Sequence, residues 1–260
     1  MRLSELTAKK TSNQKTLIPY ITAGITDNWG DLVLAAADGG ADAVEIGLPF
    51  SDPMIDGNII QFACKKSLDA GYNTQLILEG INSLKDRVGI PLIVMTYYNL
   101  LFARGLAKVA FDLSTVGVVG TIVPDLTIEE LDPWRNESQA NNLDNVLLVA
   151  PSTPSSRAAQ IANLSTGFIY ALGVMGTTGI RESLSQDAIA NVTKIKELTE
   201  KPVLIGVGVS TPQQAQQAVQ YCDGVIVGSA LVKLILDKSD EPELPKFVES
   251  FVKDYKTAIV

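Results

Sequence analysis

Histidine does not occur in this chain of 260 residues. Its absence excludes Ser-His-Asp and Cys-His catalysis, histidine-ligated zinc and an imidazole general base. Cysteine is nearly as scarce. Cys64 and Cys222 stand alone and far apart with no CxxC pair, which points to a reduced, cytoplasmic protein. No run of eighteen apolar residues occurs, and the opening MRLSELTAKKTSNQK carries no apolar signal region, so neither a membrane-spanning nor a secreted protein is expected. Basic residues are in deficit, 21 against 29 acidic ones for a net charge of −8, which argues against nucleic acid or an anionic membrane as the main partner. Lysine is missing from the C-terminal end of every predicted strand, which disfavours a Schiff-base aldolase.

What remains is apolar enough, at 46% hydrophobic, to bury a sizeable core. Short β-branched runs recur along the whole chain: Thr16–Thr22, Asp42–Gly47, Leu92–Tyr97, Val118–Val123, Asn145–Ala150, Gly167–Leu172, Pro202–Val207 and Asp223–Val227. Each is too short for a helix, and their near-continuous apolarity fits strands buried on both faces of a parallel sheet. Helical stripes lie between them, among them Leu244, Phe247, Val248, Phe251, Val252 and Tyr255 near the end. Strand starts run from 16 to 223 over seven intervals, a mean of about 30 residues, the size of a βα unit. Eight such units are expected to close as a single α/β domain over 1–260, a (β/α)8 TIM barrel, with a doubly wound open sheet as the competing architecture. Met1–Lys10 reads as an extra N-terminal helix. The second connection is abnormally long and holds two helical patterns, about 57–71 and 74–87, so an extra helix is expected there. Active sites of such barrels sit on the loops after the strands, which makes this loop the first place to look.

That loop opens as ADAVEIGLPFSDPMIDG. Glu45 lies inside an apolar strand between Val44 and Ile46. Burial there would raise its pKa and make it a usable acid or base near neutral pH, unless it only holds a backbone amide or an arginine. Asp52 and Asp56 follow on a loop stiffened by Pro49 and Pro53, and spacing alone favours turn formation for both. IGVGVST (Ile205–Thr211) and DGVIVGSALVKLI (Asp223–Ile235) each end a strand with glycine and open a helix. Such elements admit an anion to backbone N–H groups, although the glycines can equally serve tight turns. Thr211 stands where a dinucleotide fingerprint needs glycine, so NAD and flavin are disfavoured. Gly173–Glu182, rich in glycine, suits a lid or an ordinary turn. A magnesium site from Glu45, Asp52, Asp56 and Asp125 has only weak support without histidine.

With these residues in view, the sequence resembles the tryptophan synthase alpha chain family along nearly its whole length. The motifs that carry the resemblance are LIPYITAG, ADAVEIGLPFSDPMIDG, MTYYN, IVPDL-x-x-EE, GFIYALGVMGTTGIR, GVGVSTPQQA and DGVIVGSALVKLI, in that order. The resemblance implies a lyase of tryptophan biosynthesis that splits indole-3-glycerol phosphate into indole and glyceraldehyde 3-phosphate by retro-aldol cleavage, without metal or organic cofactor. It implies Glu45 and Asp56 as the catalytic carboxylates. Tyr20, Ile60, Tyr97, Tyr170 and Thr178 match substrate contacts, and Gly179, Gly208, Gly228 and Ser229 match the phosphate site. It further implies a pyridoxal-phosphate-dependent beta chain as partner in an alpha2-beta2 heterotetramer, contacted around Pro49, Phe50, Asp52, Asn99 and the segment Leu100–Arg104. The chain departs from the family at Asn58 and Thr127, where proline is common, at Gly173 (serine), Thr177 (valine) and Val207 (phenylalanine). These changes bear on the second loop, the interface, the lid and the breadth of the indole pocket.

Overall fold

A computed structural model describes residues 3, 14–173, 186–206 and 208–260. Eight parallel strands close into a barrel in sequence order: β1 (Thr16–Thr22), β2 (Val44–Gly47), β3 (Leu92–Met95), β4 (Val118–Ile122), β5 (Asp144–Val149), β6 (Ile169–Ala171), β7 (Val203–Ile205) and β8 (Gly224–Val227). All eight apolar runs became strands, and closure rules out the open sheet. The expected N-terminal helix lies outside the described residues except for Leu3.

Alternation along each strand sorts side chains into two clusters. Ile18, Ala43, Ile93, Ile122, Val146, Phe168, Tyr170, Leu204 and Ile226 fill the barrel interior, contributed by seven strands and by the residue just before β2. Val44, Ile46, Val94, Val203 and Val225 face outward into the shell beneath the helices. Leu3 closes the bottom of the interior. Its N–H donates to Asp144 Oδ2 at 3.1 Å, and its side chain occupies space that a Cβ at Gly120 would invade at 2.7 Å.

Eleven helices are described: α1 (Trp29–Asp38), α2 (Asn58–Asp69), α3 (Thr74–Leu84), α4 (Tyr98–Arg104), α5 (Leu106–Thr115), α6 (Leu131–Ala140), α7 (Ser155–Leu164), α8 (Gln186–Lys196), α9 (Pro212–Ala218), α10 (Ser229–Asp237) and α11 (Leu244–Ala258). The second connection holds α2 and α3, as its two helical patterns imply. α3 starts where Asn73 Oδ1 accepts from the N–H groups of Gln75 and Leu76, and it ends three residues before the expected 87. α11 buries Leu244, Val248, Val252 and Tyr255 against its neighbours, α1 among them. The third connection also holds two helices. β3 stops at Met95 rather than Tyr97, because Tyr97 leaves the ladder to become the residue that opens α4. Among the described residues no helix is long and apolar enough to cross a membrane.

Candidate active site

Glu45 sits on β2 two residues after Ala43 and shares its inward face, in register with Tyr20 on β1 and Ile93 on β3. It is 2% exposed, and its Oε2 has no hydrogen-bond partner among the described residues. An unpartnered ionised carboxylate at that depth is strongly disfavoured, so the group keeps its proton. Burial and the nearby charge of Asp56 push the Glu45 pKa up to about 8.

Asp56, 3% exposed, reaches the same space from the loop after β2. A turn closed by Asp56 N–H to Pro53 C=O (3.1 Å) aims it, and Gln61 Nε2 donates to its backbone carbonyl at 2.8 Å. Tyr97 Oη donates to Asp56 Oδ2 at 3.0 Å and accepts from the N–H of Ile55 at 3.2 Å. The Tyr97 ring is stacked on Phe50 at 5.1 Å, which pins both ends of the SDPMIDG loop to one side chain. Burial pushes the Asp56 pKa up to about 6, and the Tyr97 hydrogen bond holds it from rising further. Near neutral pH the two carboxyls therefore differ: Glu45 carries a proton and Asp56 carries a charge. Carboxyls pushed apart in this way can take separate acid and electrostatic roles.

Both face a partly open cavity with about 500 Å³ of empty space, walled by Tyr20, Ile60, Tyr170 and Met95, with Gly208, Gly228 and Ser229 at its rim. The strand-end glycines make that cavity. A Cβ at Gly47 would stand 2.0 Å from Tyr20 Oη, so only glycine lets the Tyr20 ring lie across β2. The two glycines of IGVGV divide the work. Gly206 yields its side-chain space to Tyr170, whereas Gly208 has φ +105° and nothing within 4 Å of a Cβ position. The N–H groups of Ser210 and Thr211 both donate to Gln214 Oε1 in the capping box of α9, so they are already committed. At β8, Gly228 opens α10 and carries no side-chain acceptor for its first N–H groups.

The structure thus brings together Tyr20, Glu45, Asp56, Ile60, Tyr170, Gly208, Gly228 and Ser229, with Tyr97 bound to Asp56. Thr178 and Gly179 lie outside the described residues, as do Thr177, Val207 and the lid segment beyond Gly173. Met95, Val209, Ser210 and Ile226 also line the cavity without having been singled out from the sequence. Met95 and Ile226 sit at inward positions of their strands, so strict alternation from Ile93 and from Gly224 would have found them.

The magnesium reading gains nothing. Among the described residues no three acidic or cysteine groups converge on a metal-sized site. Asp125 instead accepts from the Tyr98 N–H, at 2.9 Å on one carboxylate oxygen and 3.2 Å on the other. On the rim beside Asp56, Pro49 is buried, Phe50 half-buried, and Asp52 and Asn99 exposed. Arg104 is turned inward onto Asp112 (2.9 Å) and Gln75 (2.7 Å). Two apolar side chains are strongly exposed, Met54 of the SDPMIDG loop at 85% and Phe102, within the expected contact segment Leu100–Arg104, at 68%.

The family model for the tryptophan synthase alpha chain matches residues 6–259. A tryptophan synthase alpha chain from Arabidopsis thaliana is 40% identical over 263 residues, spanning 99% of this chain and 95% of the relative. One from Geobacter sp. (strain M21) is 38% identical over 96% of this chain and 94% of its own. Among solved structures, tryptophan synthase from Mycobacterium tuberculosis superposes with a TM-score of 0.91 at 34% identity, covering 99% of this chain and 98% of that one. The alpha subunit from Legionella pneumophila str. Paris gives a TM-score of 0.89 at 28% identity, with 99% and 98% coverage. Model match, identity over nearly full length and superposition agree: the chain belongs to the tryptophan synthase alpha chain family, and with it to the lyases.

Proposed function

We propose that this barrel cleaves indole-3-glycerol phosphate to indole and glyceraldehyde 3-phosphate with Glu45 and Asp56 as its acid–base pair. The observation that carries the reading is the pair itself: two buried carboxyls in one cavity, one held near pKa 8 and the other near 6. Protonated Glu45 gives its proton to indole C3. The ionised Asp56 accepts a hydrogen bond from the indole N–H and stabilises the positive charge that grows on the ring. The carboxylate left at Glu45 takes the proton of the hydroxyl on the adjacent side-chain carbon. The carbon–carbon bond then breaks, its electron pair returns to the ring, and the alcohol carbon becomes the aldehyde. Protons balance over the cycle, and Glu45 ends as it began. Tyr20, Ile60, Tyr97 and Tyr170, together with Thr178, form the substrate contacts. The phosphate takes the N–H groups around Gly208, Gly228 and Ser229, together with Gly179.

The same reading makes the chain one barrel domain over 1–260, working in the cytoplasm without a cofactor of its own. Indole passes to a pyridoxal-phosphate-dependent beta chain in an alpha2-beta2 assembly. That partner is expected to seat on Pro49, Phe50, Asp52, Asn99 and Arg104, beside the exposed Met54 and Phe102.

Indole release from indole-3-glycerol phosphate, with and without a beta chain, tests the reading on the wild type, Glu45→Gln and Asp56→Asn. Each loss should cost two or more orders of magnitude in kcat, roughly what removing one positioned acid or charge costs. Unchanged turnover in either variant would sink the assignment. No release at all, with the beta chain still activated, would leave an activating subunit in its place.

A further inference from the structure

Asp125 is unabsorbed by the chemistry above. It lies on the loop after β4, exposed at the rim, and is not among the residues lining the cavity. Its carboxylate spans the rim to the next loop and accepts from the N–H of Tyr98 with both oxygens, at 2.9 and 3.2 Å. Tyr98 is the first residue of α4, and Tyr97, which opens that helix, offers no side-chain cap of its own. Tyr97 is also the residue whose hydroxyl grips Asp56 Oδ2 and the Ile55 N–H.

We infer that Asp125 is a positioning residue: by fixing the backbone at Tyr98 it sets the Tyr97 hydroxyl on Asp56. The inference rests on the function proposed above. The relay is short and rigid. One peptide bond joins the anchored N–H to Tyr97, so a shift of the α4 entry moves the backbone that carries the Tyr97 ring, stacked on Phe50, and with it the hydroxyl. Displacement of a catalytic group by a fraction of an ångström to one ångström costs up to about a hundred-fold in rate.

Among the described residues, the groups whose charge Asp56 meets are Glu45, Tyr20, Tyr97, Cys64 and Tyr170. Burial keeps the tyrosines and Cys64 protonated through neutral pH, which leaves Glu45 as the competing titration. The test therefore follows the Asp56 carboxyl by carbon-13 NMR in the full chain on a Glu45→Gln background, for Asp125→Ala, Tyr97→Phe and their combination. Steady-state kcat and KM are measured for the same changes without Glu45→Gln. Asp125→Ala should raise the Asp56 midpoint in the direction Tyr97→Phe does, and lower kcat about ten-fold or more with KM little changed. The double variant should be no worse than Tyr97→Phe alone, and Asp125→Asn, which keeps one acceptor for Tyr98, should restore most of the rate. An unmoved Asp56 midpoint, or losses that add in the double variant, would overturn the inference. If Asp125→Ala fails to fold, Asp125→Glu, which carries the carboxylate one methylene further, must move the midpoint the same way. A wild type that releases no indole would defeat the proposed function, while the Asp56 midpoint would still decide the role of Asp125.

Discussion

Gly206 on the strand-end turn of β7 leaves the room that the Tyr170 ring of β6 occupies: a Cβ at 206 would stand 2.0 Å from Tyr170 Oη and 2.3 Å from Cζ. Tyr170 is thereby held, buried, in the wall of the cavity that Glu45 and Asp56 face. Gly47 does the same for Tyr20 on β1. Two glycines therefore shape the aromatic walls of the cavity from outside it.

Gly206→Ala should displace Tyr170 and cost about 1–3 kcal/mol of stability, the range for overpacking a filled site. Urea unfolding measures it. Tyr170→Phe should not rescue the variant, because Cζ and Cε1, at 2.3 and 2.4 Å, clash as well as the hydroxyl. On a Tyr170→Ala background, itself less stable because a buried ring is lost, Gly206→Ala should add no further cost.

The rate of indole release should be bell-shaped in pH. It rises as Asp56 ionises through about 6 and falls as Glu45 loses its proton through about 8. Tyr97→Phe removes the hydrogen bond that favours ionised Asp56, so its acid limb should move to higher pH. A pH profile of kcat/KM from 5 to about 9.5 reads both limbs.

Stability should carry the same signature with the opposite cost. Both carboxyls have folded pKa values above their ordinary ones, from 4.5 to about 8 for Glu45 and from 3.8 to about 6 for Asp56. The folded chain then binds more protons than the unfolded one across that window. Stability from these groups is present below the ordinary carboxylate range and is lost as pH rises toward 6 and 8. Glu45→Gln stays neutral throughout, so it should exceed the wild type in stability above pH 8 by on the order of a few kcal/mol. Thermal melts at pH 5 and at about 8.5 compare the two; a Glu45→Gln chain less stable than wild type at the higher pH would refute the burial argument.

Phe102 on α4 and Met54 on the Asp56 loop expose apolar surface, and Phe102 lies in the segment that the beta chain is expected to cover. Phe102→Ser should weaken association with the beta chain by about 1–2 kcal/mol, or roughly ten-fold in Kd, as measured by titration calorimetry. An unchanged Kd would place the interface elsewhere.

Much of this molecule is written in local pattern. Eight β-branched runs, each followed by a helical stripe, determine the strands, because strand and helix periodicities are properties of neighbouring residues. Glu45 was legible for the same reason: a carboxylate amid an apolar strand has few chemical excuses. The glycine pairs were visible too, but not their division of labour, since nothing in IGVGV says that Gly206 serves a ring on the adjacent strand while Gly208 faces the cavity. Tyr97 looked like the last residue of a strand and is instead the turn that holds Asp56, 41 residues away in sequence. Asp125 stood in the sequence only as a weakly supported magnesium ligand and instead binds the Tyr98 N–H, 27 residues away. Sequence by itself determined which segments are strands, which are helices and which charges stand in apolar surroundings. Only tertiary structure decided which of those charges meet, because barrel closure aligns strand ends in space by register, and register between distant segments is set by packing rather than by any residue's neighbours in the chain.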